Sequence, residues 1–135
     1  YTQSEGKKNG VLEENLRKDR EIAQIQRDNF RRAHQAGVRQ VFASDAGVMP
    51  HGQVGRQFGT MVRFGMTPLE AIRAATRNAS EALGRTGDVG AIAVGRFGDM
   101  VAVTGDPLRD VSVLERPAAV IKGGALIDRD ADAAR

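Results

Sequence analysis

Two side chains carry most of the chemistry that can be read from this chain. In Val38–Gly52, VRQVFASDAGVMPHG, an apolar run rich in β-branched residues stops at Asp45, and a loop bearing glycine, proline and His51 follows. A carboxylate at the point where a strand gives way to a loop is placed as barrel strands place catalytic groups at their C-terminal mouth. Its small neighbours Ser44 and Ala46 leave it reachable. The same residue can equally cap a turn, and at this level both readings stand. His51 sits in a loop that the barrel rule puts over the active site, where an imidazole can hydrogen-bond a carbonyl or carboxylate. It reads equally well as a solvent-exposed loop histidine. Gly47 and Gly52 would let that loop turn and approach a ligand closely, or serve as ordinary turn residues.

The elements that must position these groups follow from periodicity and punctuation. From about Val11 to Ala36 the pattern is helical: Leu12 and Leu16 share a face, and Ile22, Ile25, Phe30 and Ala33 continue the stripe opposite a charged face. Gly37 is a left-handed helix stop, and a strand is expected from Val38. Helix, single glycine and short strand make the αβ step of a parallel barrel. A short helix is expected over Val54–Phe64, ending at Gly65. Thr67, Pro68 and Glu70 form a helix start with a capping box, and Asn78 with Glu81 is expected to restart a second short helix that Gly84 closes. Past Arg85 the signals turn β-like. Ala91–Val94, Met100–Val103 and Ala118–Ile121 are candidate strands, with Gly123-Gly124 as a hairpin turn before Leu126.

Three blocks beyond the Asp45 stretch complete a pattern: GMTPLEAIRAATRNASEALG (65–84), GAIAVGRFGDMVAVTGDPLRDV (90–111) and VIKGGALI (120–127). Together, in order and spacing over roughly residues 30 to 128, the four blocks resemble the amidohydrolase superfamily of metal-dependent hydrolases, in its imidazolonepropionase-like and prolidase-like branch. The resemblance implies an α/β fold: the C-terminal part of a TIM-type (β/α)8 barrel, contributing its last strand and outer helices, followed by part of a small β-sandwich. The expected organisation is a loop remnant at 1–9, the last barrel portion at 10–85, the sandwich segment at 86–128 and a disordered tail at 129–135.

The resemblance also implies a role for each site residue. Asp45 would bind a divalent metal, accept a proton from the attacking water and pass it to the leaving nitrogen; His51, Gly47 and Gly52 would line the substrate pocket. Zinc is the favoured metal, as one or two ions, with manganese, iron and cobalt left open by a single carboxylate. A hydrolytic centre needs about three protein ligands and an open position, whereas this chain has two histidines, His34 and His51, and no cysteine. It also opens on Tyr1. It is therefore read as the C-terminal portion of a larger hydrolase of C–N bonds in a dipeptide, an N-acyl amino acid or a cyclic amide, inactive alone, with most metal ligands elsewhere. A complementing N-terminal portion or a homo-oligomer is the expected protein partner. Two departures stand out: Gln57-Phe58 where related sequences often carry Glu-Leu, and Ser44 where threonine is common.

Composition agrees with a globular enzyme portion. The chain has 135 residues, 41% of them hydrophobic, which suffices for a real core. Its net charge of +3 is carried mostly by arginine. Those arginines are interspersed with acids along the chain and lack interleaved aromatics, which argues against nucleic-acid binding. A lack of cysteine excludes a disulfide scaffold and thiol catalysis. No apolar run approaches the ~20 residues that span a bilayer, so no membrane association is expected, and the cytoplasm is the favoured compartment. Arg56 and Arg63 read as solvated helix arginines, His34 as a surface histidine of the long helix, and Asp99 and Asp106 as turn-capping carboxylates. The alternatives are a non-catalytic accessory or pseudo-enzyme scaffold, and a basic nucleic-acid-binding module that salt-sensitive binding would reveal.

Overall fold

A computed structural model describes residues 10–45 and 51–127. Helix α1 spans Glu13–Gln35, close to expectation, with Glu13 and Glu14 in its first turn and Arg32 and His34 in its last, each sign complementing the helix dipole. Its outer face carries the pairs Arg17–Glu21, Lys18–Glu14 and Arg20–Glu13, all at 2.8 Å, and Arg31–Asp28 at 3.1 Å. Such exposed pairs contribute a few tenths of a kcal/mol each, roughly. The apolar stripe is only partly covered: Leu16 is buried, whereas Leu12, Ile22 and Ile25 remain exposed.

Helices α2 (Arg56–Arg63), α3 (Pro68–Ala75) and α4 (Arg77–Ala82) follow. Helices α1, α2 and α4 end in the same six-residue device. The amides of Gly37 and Val38 donate to the carbonyls of His34 and Ala33, those of Gly65 and Met66 to Val62 and Met61, and those of Gly84 and Arg85 to Glu81 and Ser80. Each glycine has positive φ (74°, 121° and 66°), the conformation this helix stop requires. Helix α3 starts on the expected capping box. The Glu70 amide donates to Thr67 Oγ1 at 3.3 Å, and the Thr67 amide donates to Glu70 Oε2 at 2.7 Å.

The start of α4 departs from expectation. Asn78 and Glu81 form no capping box, and no side chain caps this helix. Asn78 instead donates its side-chain amide to the Gln40 carbonyl at 3.0 Å, and Glu81 pairs with Arg39 and Arg77. Tertiary partners have claimed both polar groups that a local reading assigned to the helix end.

The strand expected from Val38 is not formed as a strand among the described residues; 38–45 carries no ladder pairing. A strand is defined by a neighbour's backbone, which no local pattern supplies. This segment is held by individual bonds: Gln40 Nε2 donates to the Phe30 carbonyl (3.2 Å), the Phe42 amide to the Ala74 carbonyl (3.0 Å), and Gln57 Nε2 to the Ala43 carbonyl (2.9 Å). Under it lies the main core, Met61, Met66, Ala71 and Ala74, with Phe30, Phe42, Phe58 and Val62 packed around it. Ala71 and Ala74 are fully buried. Small side chains there let the backbone of 38–45 come within hydrogen-bonding distance of α3.

The C-terminal region holds a three-stranded antiparallel sheet in the order β1 (Met100–Ala102), β2 (Ala119–Lys122), β3 (Ala125–Leu126). Met100 pairs with Ile121 and Ala102 with Ala119; Ile121 pairs with Leu126. Gly123 and Gly124, with φ of 59° and 84°, make the expected two-residue hairpin turn. Ala91–Val94, expected as a strand, is not one: Ile92 is 87% exposed and no strand pairs with it. Asp99 accepts from the Gly123 amide at 2.7 Å and pairs with Lys122, Asp106 accepts from the Leu108 amide at 2.9 Å, and Asp110 from the Ser112 amide at 2.9 Å. The capping roles expected of Asp99 and Asp106 are those observed.

One contact joins the two regions tightly. A Cβ on Gly55, the residue before α2, would lie 2.7 Å from the Leu114 carbonyl oxygen and 2.9 Å from Glu115 Cα, in the 3₁₀ turn Val111–Glu115. Only a glycine fits there without a backbone shift.

Candidate functional site

Asp45 ends the segment that the three bonds above fix against the helices. It is exposed, and its φ of 44° makes it the one non-glycine residue with positive φ among those described. Aspartate and asparagine tolerate that conformation best among residues with a side chain. Strain of this kind costs on the order of 1 kcal/mol and clusters at functional positions. Upstream, the Gln57–Ala43 bond falls two residues before Asp45, and the rings of Phe42 and Phe58 stack at 4.7 Å with a 31° tilt. Adjacent residues of α2 thus grip adjacent residues of the segment.

His51 opens a 3₁₀ turn, His51–Gln53, and is exposed; its carbonyl accepts from the Val54 amide at 3.3 Å. Gly52 has no positive φ and nothing within 4 Å of where a Cβ would stand, so neither its conformation nor its described surroundings demand glycine. Gly47 lies outside the described residues. In the same turn, Gln53 Oε1 is buried without a hydrogen-bond partner among the described residues.

The fit to a metal is partial. Among the described residues no three His, Cys, Asp or Glu side chains come together as a metal-holding group. Asp45, an exposed carboxylate at a fixed chain position, suits a divalent cation as one oxygen donor and falls short of the three ligands such a centre requires.

His34 departs from the surface histidine expected. It is partly buried, with Nε2 3.3 Å from Glu70 Oε2, in the wall of a cavity of about 180 Å³ that also includes Gln40, Met66, Arg73 and Asn78. Bonds from the Thr67 amide and hydroxyl, aided by His34 and Arg73, hold the Glu70 carboxyl below its ordinary range. This cavity lies along residues 37–40, at the start of the segment whose end carries Asp45.

One polar residue bonded close to Asp45 in the chain has a position that periodicity does not reveal, Gln57, which reaches Ala43. For Gln57 a signal existed in its departure from the Glu-Leu pattern: an amide donates to the Ala43 carbonyl, which an ionised carboxylate cannot do.

Comparison with known proteins places the chain. Residues 1–127 match the pattern of the Amidohydrolase family. Ochratoxinase from Aspergillus niger is 34% identical over 122 residues, covering 87% of this chain and 25% of that protein. The crystal structure of a Xaa-Pro dipeptidase with bound methionine superposes with a TM-score of 0.72 at 40% identity, covering 76% of this chain and 25% of that one. That of a putative prolidase from Bifidobacterium longum gives 0.70 at 32%, covering 77% and 28%. The chain spans about a quarter of the length of the curated relatives named ochratoxinase. No helix among the described residues is long and apolar enough to cross a membrane. Set beside a TIM-barrel-type family, the helix-rich α/β architecture and small sheet agree with the match: this chain belongs to the amidohydrolase family.

Proposed function

We propose that this chain is the C-terminal portion of a metal-dependent amidohydrolase that cleaves the C–N bond of a dipeptide or an N-acyl amino acid. Residues 10–85 would supply the last unit of the barrel, with 38–45 as its final strand, and 86–128 part of a sandwich. The likeness to a Xaa-Pro dipeptidase and a prolidase supports a peptide-like amide as substrate. On this reading the chain is inactive by itself, and its substrate and its remaining metal ligands meet it at the end of 38–45.

The observation that carries the reading is Asp45: an exposed carboxylate, fixed in a strained backbone conformation at the end of a pinned segment. A divalent ion, zinc by preference, would polarise the scissile carbonyl and acidify a water when bound. Asp45 would be one of the residues that hold that ion. The carboxylate would then take the proton that the attacking water gives up and return it to the departing amine nitrogen, so that no proton need be exchanged with solvent in mid-reaction. His51 would hydrogen-bond the carbonyl or terminal carboxylate of the substrate.

Asp45→Asn in the complete protein tests this. Asparagine keeps the size and tolerates positive φ, so thermal unfolding should be unchanged, while kcat on Xaa-Pro dipeptides or N-acyl amino acids falls by about 10³-fold or more. Undiminished turnover would remove Asp45 from the mechanism.

A further inference from the structure

We infer that Ala43 is the floor of the reaction site, a size-limiting residue whose small side chain keeps open the space beneath Asp45; this rests on the reading of 38–45 as the last barrel strand. From Gln40 to Asp45 exposure alternates without a break: Gln40, Phe42 and Ser44 are partly buried, whereas Val41, Ala43 and Asp45 are exposed. A period of two is how an extended segment sorts its side chains onto two faces. Contacts within the chain identify one of those faces. Gln40 reaches back to the Phe30 carbonyl of α1, and the Phe42 ring stacks on Phe58 of α2. The even-numbered residues therefore face the helices.

In a closed barrel the helices lie outside the strands, so the odd-numbered face is the one turned inward. This assignment needs no residue beyond the chain, because both helices that define the outer side are its own. From the base of the strand toward its mouth, the inner face reads Val41, Ala43, Asp45. The run ends at Asp45, whose positive φ departs from extended backbone.

Barrel interiors are filled in layers dominated by bulky branched side chains. Val41 is of that kind and suits a packed layer. Ala43 is not, and its single methyl leaves its part of the next layer unfilled. It is also the inward-facing residue closest to Asp45 along the chain, so the room it leaves lies under the reacting carboxylate. A longer side chain at 43 would rise into that room and obstruct whatever Asp45 acts upon. The same side chain at 44 would press against the helices instead. Adjacent positions should thus fail in opposite ways.

The experiment compares Ala43→Val, Ala43→Leu and Ser44→Leu in the complete protein, by thermal unfolding and by kcat and KM on an Xaa-Pro dipeptide. Turnover should fall in order of side-chain volume at 43, by ~10-fold or more in Ala43→Leu, while both variants melt within about 2 °C of the unaltered protein. Ser44→Leu should do the reverse, melting about 4 °C lower or more through overpacking, with kcat of the folded protein within about twofold. A melting loss in Ala43→Val or Ala43→Leu as large as that in Ser44→Leu overturns the inference, since position 43 would then belong to a filled layer. Full turnover in Ala43→Leu overturns it too. Asp45→Asn keeps the two claims apart: full turnover there sinks the reading of Asp45, whereas an inactive Asp45→Asn beside a fully active Ala43→Leu removes the floor alone.

Discussion

The helical region and the C-terminal sheet are held by different physics. Around α2 and α3, two methionines and two alanines are buried under a ring of phenylalanines, and three helices end on glycine stops. In the sheet, none of the strand residues is buried; Val101 and Leu126 lie open, and Val111, in the neighbouring 3₁₀ turn, is the buried apolar side chain of the region. Its shape comes from turn chemistry: the Gly123-Gly124 hairpin, and the carboxylates of Asp99, Asp106 and Asp110 accepting backbone amides. Hydrogen bonds to Lys122 and Gly123 hold the Asp99 carboxyl below its ordinary range, and bonds to Ser112 do the same for Asp110. The contrast teaches that regular pairing and a core are separable. Short strands can be aligned by their turns while contributing little stability of their own.

Substitutions can break or sharpen that contrast. Met61→Ala, in the helical core, should cost about 2–5 kcal/mol in denaturant unfolding, through lost apolar contact and the cavity left behind. A loss under ~1 kcal/mol would mean that this core is looser than its burial indicates. Thr67→Ala removes the capping hydroxyl of α3 and should cost about 1 kcal/mol. The same box carries a pH signature. Because the folded-state pKa of Glu70 is depressed, its contribution is fully present above the ordinary glutamate range and is lost as pH falls through the lower folded-state value. Glu70→Gln should flatten that part of the acid unfolding curve, and an unaltered curve would show that other carboxylates govern it. Smallest of all, Leu126→Ser on β3 should change stability by less than ~0.5 kcal/mol, as expected for an exposed site. Were Leu126→Ser to approach the Met61→Ala loss, the difference between the regions would disappear.

What could be read in advance follows the same division between local and distant causes. Helix α1, the stops at Gly37, Gly65 and Gly84, the Thr67 box and the Gly123-Gly124 hairpin were legible because each is decided within six residues or so. The strand from Val38 was not, since pairing needs a neighbour that no sequence window contains. Asn78 and Glu81 misled for the opposite reason: their local option was real, but Gln40 and Arg39, about forty positions earlier, competed for them successfully. Asp45 and His51 could be singled out as candidates by type and setting. The positive φ of Asp45 could not, nor could the bond from Gln57 that spans fourteen positions, which depends on how α2 docks. Gly52 shows the converse, a glycine whose place in a motif suggested a conformational need that its geometry does not express.

The contact at Gly55 gives the two regions a shared fate. With a bare Cα wedged against the main chain of Leu114, helix α2 cannot tilt independently of the 3₁₀ turn that leads into β2. Any side chain larger than glycine at position 55 would therefore force apart the start of α2 and the 3₁₀ turn Val111–Glu115, and so loosen both regions at once.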